Sequence, residues 1–235
     1  MDFTQEMWDM RPLLIMMLLM SFAAAHQPFF EDVDITADNP WLVEDPTIST
    51  AIYAALDGPE DVDYYSFNAT RGQKVLLSML IPQIDGHENF MPRMALMGRG
   101  LPPARPPERV FKPEGSGTMM LDPPKNATTF FEPFTRTSYW TRQKEIVGIP
   151  ADGRYLVAVW DDSGRTGRYV FVIGDREVPG GDLAFPLKIR GYWRPLAEAR
   201  QNQSQNASTP VAQPGPGAVA ASICILLVFL LRRNG

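Results

Sequence analysis

ADGRYLVAVWDDSGRTGRYVFVIG, residues 151–174, decides how the rest of the chain must be arranged. A Gly-Arg-Tyr start occurs at 153 and again at 167, and each leads into a β-branched and aromatic run, Tyr155 to Trp160 and Tyr169 to Ile173. Asp161, Asp162, Ser163 and Gly164 between them carry turn chemistry, so the stretch reads as a β-hairpin. Neither run carries a charge on either face. Two such strands cannot stand alone in water, and the preceding hundred residues must supply a second layer to cover them.

Those residues alternate strand-like runs with turn signals. Thr47 to Leu56 places Ile48, Ile52 and Leu56 on one face, and the acidic turn Asp57, Gly58, Pro59, Glu60 follows. In Asp61 to Ala69, DVDYYSFNA, Tyr65 and Phe67 share one side while Val62 and Tyr64 share the other. Lys74 to Pro82, KVLLSMLIP, is apolar on both faces, as a central sandwich strand must be, with a core face of Val75, Leu77, Met79 and Ile81. The 22 prolines and 18 glycines, with no sustained helical period, suit short strands joined by turns. The expected fold class is all-β, a single jelly-roll-like β-sandwich. Cys224 is the only cysteine and lies in the C-terminal apolar run, so packing and not a disulfide must hold the body.

The two ends have a different character. Pro12 to Phe22, PLLIMMLLMSF, runs into Ala23, Ala24 and Ala25, which reads as a signal peptide over 1–25 cleaved after Ala25. Asp2, Glu6 and Asp9 have the wrong sign for its leading part, and a start at Met10 restores the expected cation at Arg11. Gly217 to Leu231 is uncharged and ends at Arg232 and Arg233, so 217–233 is expected to be a C-terminal transmembrane helix or sorting segment, with the body outside the cell. Gln201 to Pro216 has stalk composition, which assigns 179–216 to a polar linker and leaves 26–178 as the sandwich domain. A net charge of -5, with no basic cluster outside the last positions, argues against nucleic acid as a partner. The expected setting is the cell membrane, single-pass, with an envelope polysaccharide or surface protein as partner.

The order Leu56-Asp57-Gly58, Asp61-Val62-Asp63-Tyr64-Tyr65-Ser66-Phe67, Gly72-Gln73, Arg93 to Met97 after Pro92, and Gly153-Arg154-Tyr155 to Val159 resembles the bacterial pre-peptidase C-terminal domain. The resemblance implies a small β-sandwich on secreted or surface proteins, an accessory or binding module and not a catalyst. Here some fifty residues separate the two blocks, where that family has a shorter connection. The C-terminal tail is similar to the sorting tails of archaeal and bacterial surface proteins, with Pro214-Gly215-Pro216-Gly217 before the apolar run and a basic end.

Within the inserted region, Leu101 to Pro113 is proline-dense and suits an extended surface loop. Thr129 to Gln143 then interleaves aromatics with guanidinium groups, which offer flat faces for stacking and planar donors for hydroxyls or carboxylates. Phe134, Arg136, Tyr139, Trp140 and Arg142 are the candidate ligand contacts; alternatively these aromatics plug one end of the sandwich. No G-x-S-x-G elbow, phosphate-binding loop or H-E-x-x-H occurs, so no enzyme is expected. Cleavage after Ala25 would give His26 a free α-amine beside its imidazole, a nitrogen pair that suits copper, with His87 as the only other imidazole available, so a copper-binding or copper-dependent redox protein is the alternative function. The acidic turn Asp57, Glu60, Asp61, Asp63 is a candidate calcium loop or else a solvated turn. Asn68, Asn126, Asn202 and Asn206 each begin a glycosylation sequon.

Overall fold

The computed structural model describes residues 26–193. In chain order these form β1 (Gln27–Phe30), β2 (Trp41–Val43), β3 (Thr50–Leu56), β4 (Asp63–Ala69), β5 (Lys74–Pro82), β6 (Arg93–Gly98), β7 (Gly117–Leu121), β8 (Thr128–Glu132), β9 (Thr137–Gly148), β10 (Gly153–Trp160), β11 (Gly167–Ile173) and a helix, α1 (Phe185–Tyr192). A six-stranded sheet runs β1-β3-β11-β5-β9-β8 and a five-stranded sheet runs β2-β4-β10-β6-β7. The expected signal segment, the tail at 217–233, and Asn202 and Asn206 lie outside the described residues. Among those described, no helix is long and apolar enough to cross a membrane.

Alternation along the strands builds one interior between the sheets. Val75, Leu77, Met79 and Ile81 of β5 point into it together with Ile52 and Leu56, as their spacing predicts, and Tyr65, Phe67, Val157, Val159, Tyr169 and Phe171 complete it. Ile48 stands outside β3 and bridges Arg176 instead. The hairpin expected at 151–174 does not form. β10 pairs with β4 and β6 in one sheet, whereas β11 pairs with β3 and β5 in the other. Both runs are apolar on both faces, so each is most stable as a central strand with a neighbour on either side. The turn between them is therefore an arch from one layer to the next, held by Asp161, whose Oδ1 accepts from the amides of Ser163 (2.9 Å) and Arg165 (3.2 Å).

The proline-dense connection between β6 and β7 folds back over the outside of the five-stranded sheet. Val110 is buried there against Tyr64, Leu156 and Trp160. The Thr118 amide donates to the Pro102 carbonyl at 2.6 Å, and only glycine fits at 117, where a Cβ would collide with the Leu101 carbonyl.

Residues 179–193 belong to the folded body and not to the linker expected from 179. Asp182 Oδ1 accepts from the Ala184 amide at 2.8 Å, Pro186 opens the helix and Arg190 lies in its last turn. Phe185 and Ile189 of α1 pack on the outer face of the six-stranded sheet with Phe30, Tyr53, Tyr139 and Val172. The ring centroid of Phe185 lies 5.3 Å from that of Phe30 and 5.2 Å from that of Tyr53. Phe185→Ala should therefore destabilise the protein by about 3 kcal/mol in chemical denaturation, whereas a residue in a polar linker would change stability by less than about 0.5 kcal/mol.

Candidate functional site

Four acidic residues meet at the corner where the first strand and its following loop reach the beginning of β4. The parallel pairing of β1 with β3 carries Glu31 alongside Tyr53 to Ala55, where its amide donates to the Tyr53 carbonyl (2.9 Å) and its Oε2 accepts from the Ala55 amide (2.9 Å). Ile35 is buried in the central core and its carbonyl accepts from the Tyr64 amide at 3.1 Å, so the intervening loop with Asp34 is tied to β4. Asp63 opens β4 and has no exposed surface. Its Oδ2 accepts from the Tyr169 hydroxyl, which in turn accepts from the Tyr65 hydroxyl at 2.7 Å. Asp63 Oδ1 has no hydrogen-bond partner among the described residues. One carboxylate oxygen each from Glu31, Asp34 and Asp63 lies within 4.8 Å of the other two.

Burial raises the Glu31 carboxyl from its ordinary 4.5 to about 7; the Ala55 amide opposes the rise, and Asp34 and Asp61 add to it. Asp63 is pushed well above the usual carboxylate range, first by burial and next by the Glu31 charge, against the opposing Tyr169 hydrogen bond. Asp61 is raised by burial as well. A corner of this kind can keep protons at neutral pH, or exchange them for a cation. The donors are all carboxylate oxygens, which suits a hard ion. The donor oxygens lie within 4.8 Å of one another, a separation of the same order as the oxygen–oxygen distances in a calcium coordination shell.

The sign of the pH effect follows from the raised values. A carboxyl with a higher pKa in the folded state binds its proton more tightly there, so its contribution is complete below 4.5 and is lost as pH rises through about 7. In chelator-treated protein, the stability of wild type relative to Glu31→Gln should fall over this interval, by at most about 3 kcal/mol in urea denaturation.

Of the acidic turn singled out in the sequence, Asp61 and Asp63 join this corner and Glu60 turns away to Arg109 at 3.8 Å. The Asp57 amide donates to Asp61 Oδ2 at 2.6 Å, which closes the turn. Glu31 and Asp34 do not emerge from the sequence reading, because they lie about thirty residues upstream and only the parallel β1–β3 pairing brings them in. Their one local signal is the close acidic spacing Glu31, Asp32, Asp34 after the apolar Pro28-Phe29-Phe30.

The aromatic and basic stretch does not form a single contact surface. Tyr139 is 1% exposed and lies under α1, with Trp193 5.9 Å away, so it is core. Trp140 faces the other way and packs on the central core. A register shift in the β5–β9 pairing passes over Arg142, which is buried, donates from Nη2 to the Glu88 carbonyl at 2.9 Å and stacks over Trp140 at 5.4 Å. Phe134 and Arg136 alone stay outside, at the tip of the β8–β9 turn, where Arg136 adopts φ 56° and Phe134 stacks 6.0 Å from Phe185. Tyr139→Ala is expected to cost about 3 to 5 kcal/mol in thermal or urea unfolding, and Phe134→Ala less than about 1 kcal/mol.

His26 and His87 stand at opposite ends of the six-stranded sheet. Gln27 is level with Thr50, whereas His87 Nε2 accepts from the amide of Arg168, which is level with Ala55, so the two are separated by about 17 Å of strand. They cannot share one copper ion. Burial lowers the His87 pKa, and its ring lies 5.8 Å from Phe90, as suits a neutral structural imidazole. His26 Nδ1 meets both Ser49 Oγ and, at 3.9 Å, Glu177. Ser49 is buried and both partners face the same ring nitrogen, so the three lack the relay geometry of a nucleophilic triad. Asn68 and Asn126 are exposed, as glycan attachment requires.

No family model matches the chain, and no curated protein matches it. Among solved structures, the chain is similar to PliG, a periplasmic lysozyme inhibitor of g-type lysozyme from Aeromonas hydrophila, at 13% identity over 64% of this chain and 98% of that one, with a TM-score of 0.34. It is similar to the pre-peptidase C-terminal domain of a Bacillus anthracis collagenase at 13% identity, over 57% and 93% of the two chains, with a TM-score of 0.34. CorA, a surface-associated copper-binding protein of Methylomicrobium album BG8, overlaps at 11% identity over 65% and 99%, with a TM-score of 0.26. Overlaps this partial leave the site to be read from its own residues.

Proposed function

We propose that this chain is a non-enzymatic binding module, displayed outside the cell, whose acidic corner takes a calcium ion. The observation that carries the reading is Asp63, a fully buried carboxylate with Oδ1 unpartnered among the described residues and two further carboxylates within 4.8 Å. An isolated buried charge is expensive, and a divalent ion offsets several such charges at once. Glu31, Asp34 and Asp63 would hold the ion, with Asp61 beside them, and the loop from β1 would thereby be fixed to β4 and through Tyr169 to β11. Calcium sites of extracellular modules are weak, on the order of 10⁻⁴ to 10⁻³ M, which matches a corner with one exposed member, Asp34. The export signal and basic-ended apolar tail read in the sequence support display at the cell surface, where such a module would hold an envelope polymer or a neighbouring protein.

Calcium at about a hundred times its Kd should stabilise the folded state by about 2.7 kcal/mol and raise the melting temperature by about 5 to 10 °C over chelator-treated protein near neutral pH. Near pH 5 the gain should shrink, because protons then occupy the same oxygens. Asp34→Ala, at the exposed edge of the corner, should abolish the response without unfolding the protein. An identical melting temperature in chelator and in excess calcium would contradict the proposal.

A further inference from the structure

A second feature, with a lining that shares no residue with the acidic corner, lies on the outer face of the five-stranded sheet. A cleft of about 570 Å³ has Met97 and Leu156 in its floor, the loop after β1 on one side and Phe111 to Ser116 on the other. Its volume falls within the range of small-ligand sites. The far wall is fixed in advance. The Phe111 amide donates to the Tyr64 hydroxyl at 2.7 Å, Val110 is buried beside it, and the Arg109 guanidinium donates to the carbonyls of Asp161 (2.6 Å) and Pro59 (3.2 Å). A wall that needs no ordering on binding loses little affinity to entropy.

Against that rigid background the Phe111 ring is left 52% exposed while the adjacent Val110 is 4% exposed. The charged residues that line the cleft are balanced, Asp38 and Glu114 against Arg99 and Arg154. Arg154 Nη2 is held by Ser66 Oγ at 3.0 Å, and the Arg99 carbonyl accepts from the Tyr155 hydroxyl at 3.0 Å. An anionic ligand would meet the two carboxylates, a cationic one the two guanidiniums, and a purely apolar one would strip water from all four without pairing them. Hydroxyl groups both donate and accept, so they use both kinds of side chain at once. The less polar face of a sugar ring stacks on an exposed aromatic ring.

We infer that this cleft binds a segment of a neutral oligosaccharide, with Phe111 as the stacking platform and Asp38, Glu114, Arg99 and Arg154 as hydroxyl partners. The inference rests on the reading of the chain as a binding module and gives that module its ligand class. It also assigns a role to the inserted segment between β6 and β7, which builds the wall.

The test is calorimetric titration of the full chain, in calcium, with chitohexaose and maltohexaose as neutral probes and an oligogalacturonate as the anionic one. At least one neutral hexamer should bind saturably, with no competition from the oligogalacturonate. Phe111→Ala should weaken that binding about tenfold, and Glu114→Gln should weaken it too, both with an unchanged melting temperature. Failure of both neutral hexamers, binding of the uronate alone, or undiminished binding by Phe111→Ala would overturn the inference. Chromatography of the recovered hexamers separates the two claims: cleavage would end the non-enzymatic reading and leave the site standing, whereas absence of binding would end the site and leave the module standing.

Discussion

Asp63 is buried completely between two sheets, and its Oδ2 accepts a hydrogen bond from Tyr169, which itself accepts one from Tyr65. Asp63 and Tyr65 belong to the five-stranded sheet and Tyr169 to the six-stranded sheet, so this chain of three side chains fixes the register of one layer against the other. Its geometry also sets an electrostatic constraint. A bare carboxylate at such a place would cost several kcal/mol, and the corner must therefore hold a proton or a cation at Asp63. Glu31 and Asp34 make the second arrangement available, because they bring two more carboxylates to the same point. The arrival of β1 beside β3 is thus both a packing event, with Phe30 on Tyr53 at 5.2 Å, and the step that assembles the site.

The remainder of the body is organised so that each sheet face has a cover. Between the layers the core is aromatic and aliphatic. On the outer side of the six-stranded sheet the cover is α1, and on the outer side of the five-stranded sheet it is the segment that carries Val110. The second cover is incomplete, and the uncovered part of that face is the cleft beneath Phe111. Arg109 links this segment to the arch between β10 and β11 through the Asp161 carbonyl, so cleft wall and interlayer connection are held by the same residue.

The core faces of β3, β4 and β5 are legible in the sequence because one side of each strand meets a different environment from the other, which a two-residue period records. The pairing of residues 151–174 is not, because Tyr155 to Trp160 and Tyr169 to Ile173 are apolar throughout and alternation cannot say which sheet a doubly buried strand enters. Turn chemistry at Asp161 is the same for an arch as for a hairpin. Tyr139, Trp140 and Arg142 are misplaced for a related reason: composition identifies aromatics and guanidiniums but not the face each one takes, and the register shift at Arg142 changes that face midway along β9. Half of the acidic corner is visible as Asp61 and Asp63. The other half is contributed by a non-local strand pairing, which no local pattern encodes. The helix at Phe185–Tyr192 is masked by its own brevity and by the polar composition that follows it.

Sensitised terbium luminescence tests the claim at Asp63 most directly, because terbium occupies oxygen-lined calcium sites and Tyr169, bonded to the Asp63 carboxylate, would transfer excitation to an ion held there. Tyrosine-sensitised terbium emission is expected from the full chain, displaced by calcium and absent from Asp63→Asn. Saturating terbium without sensitised emission, or emission unchanged in Asp63→Asn, would contradict the claim.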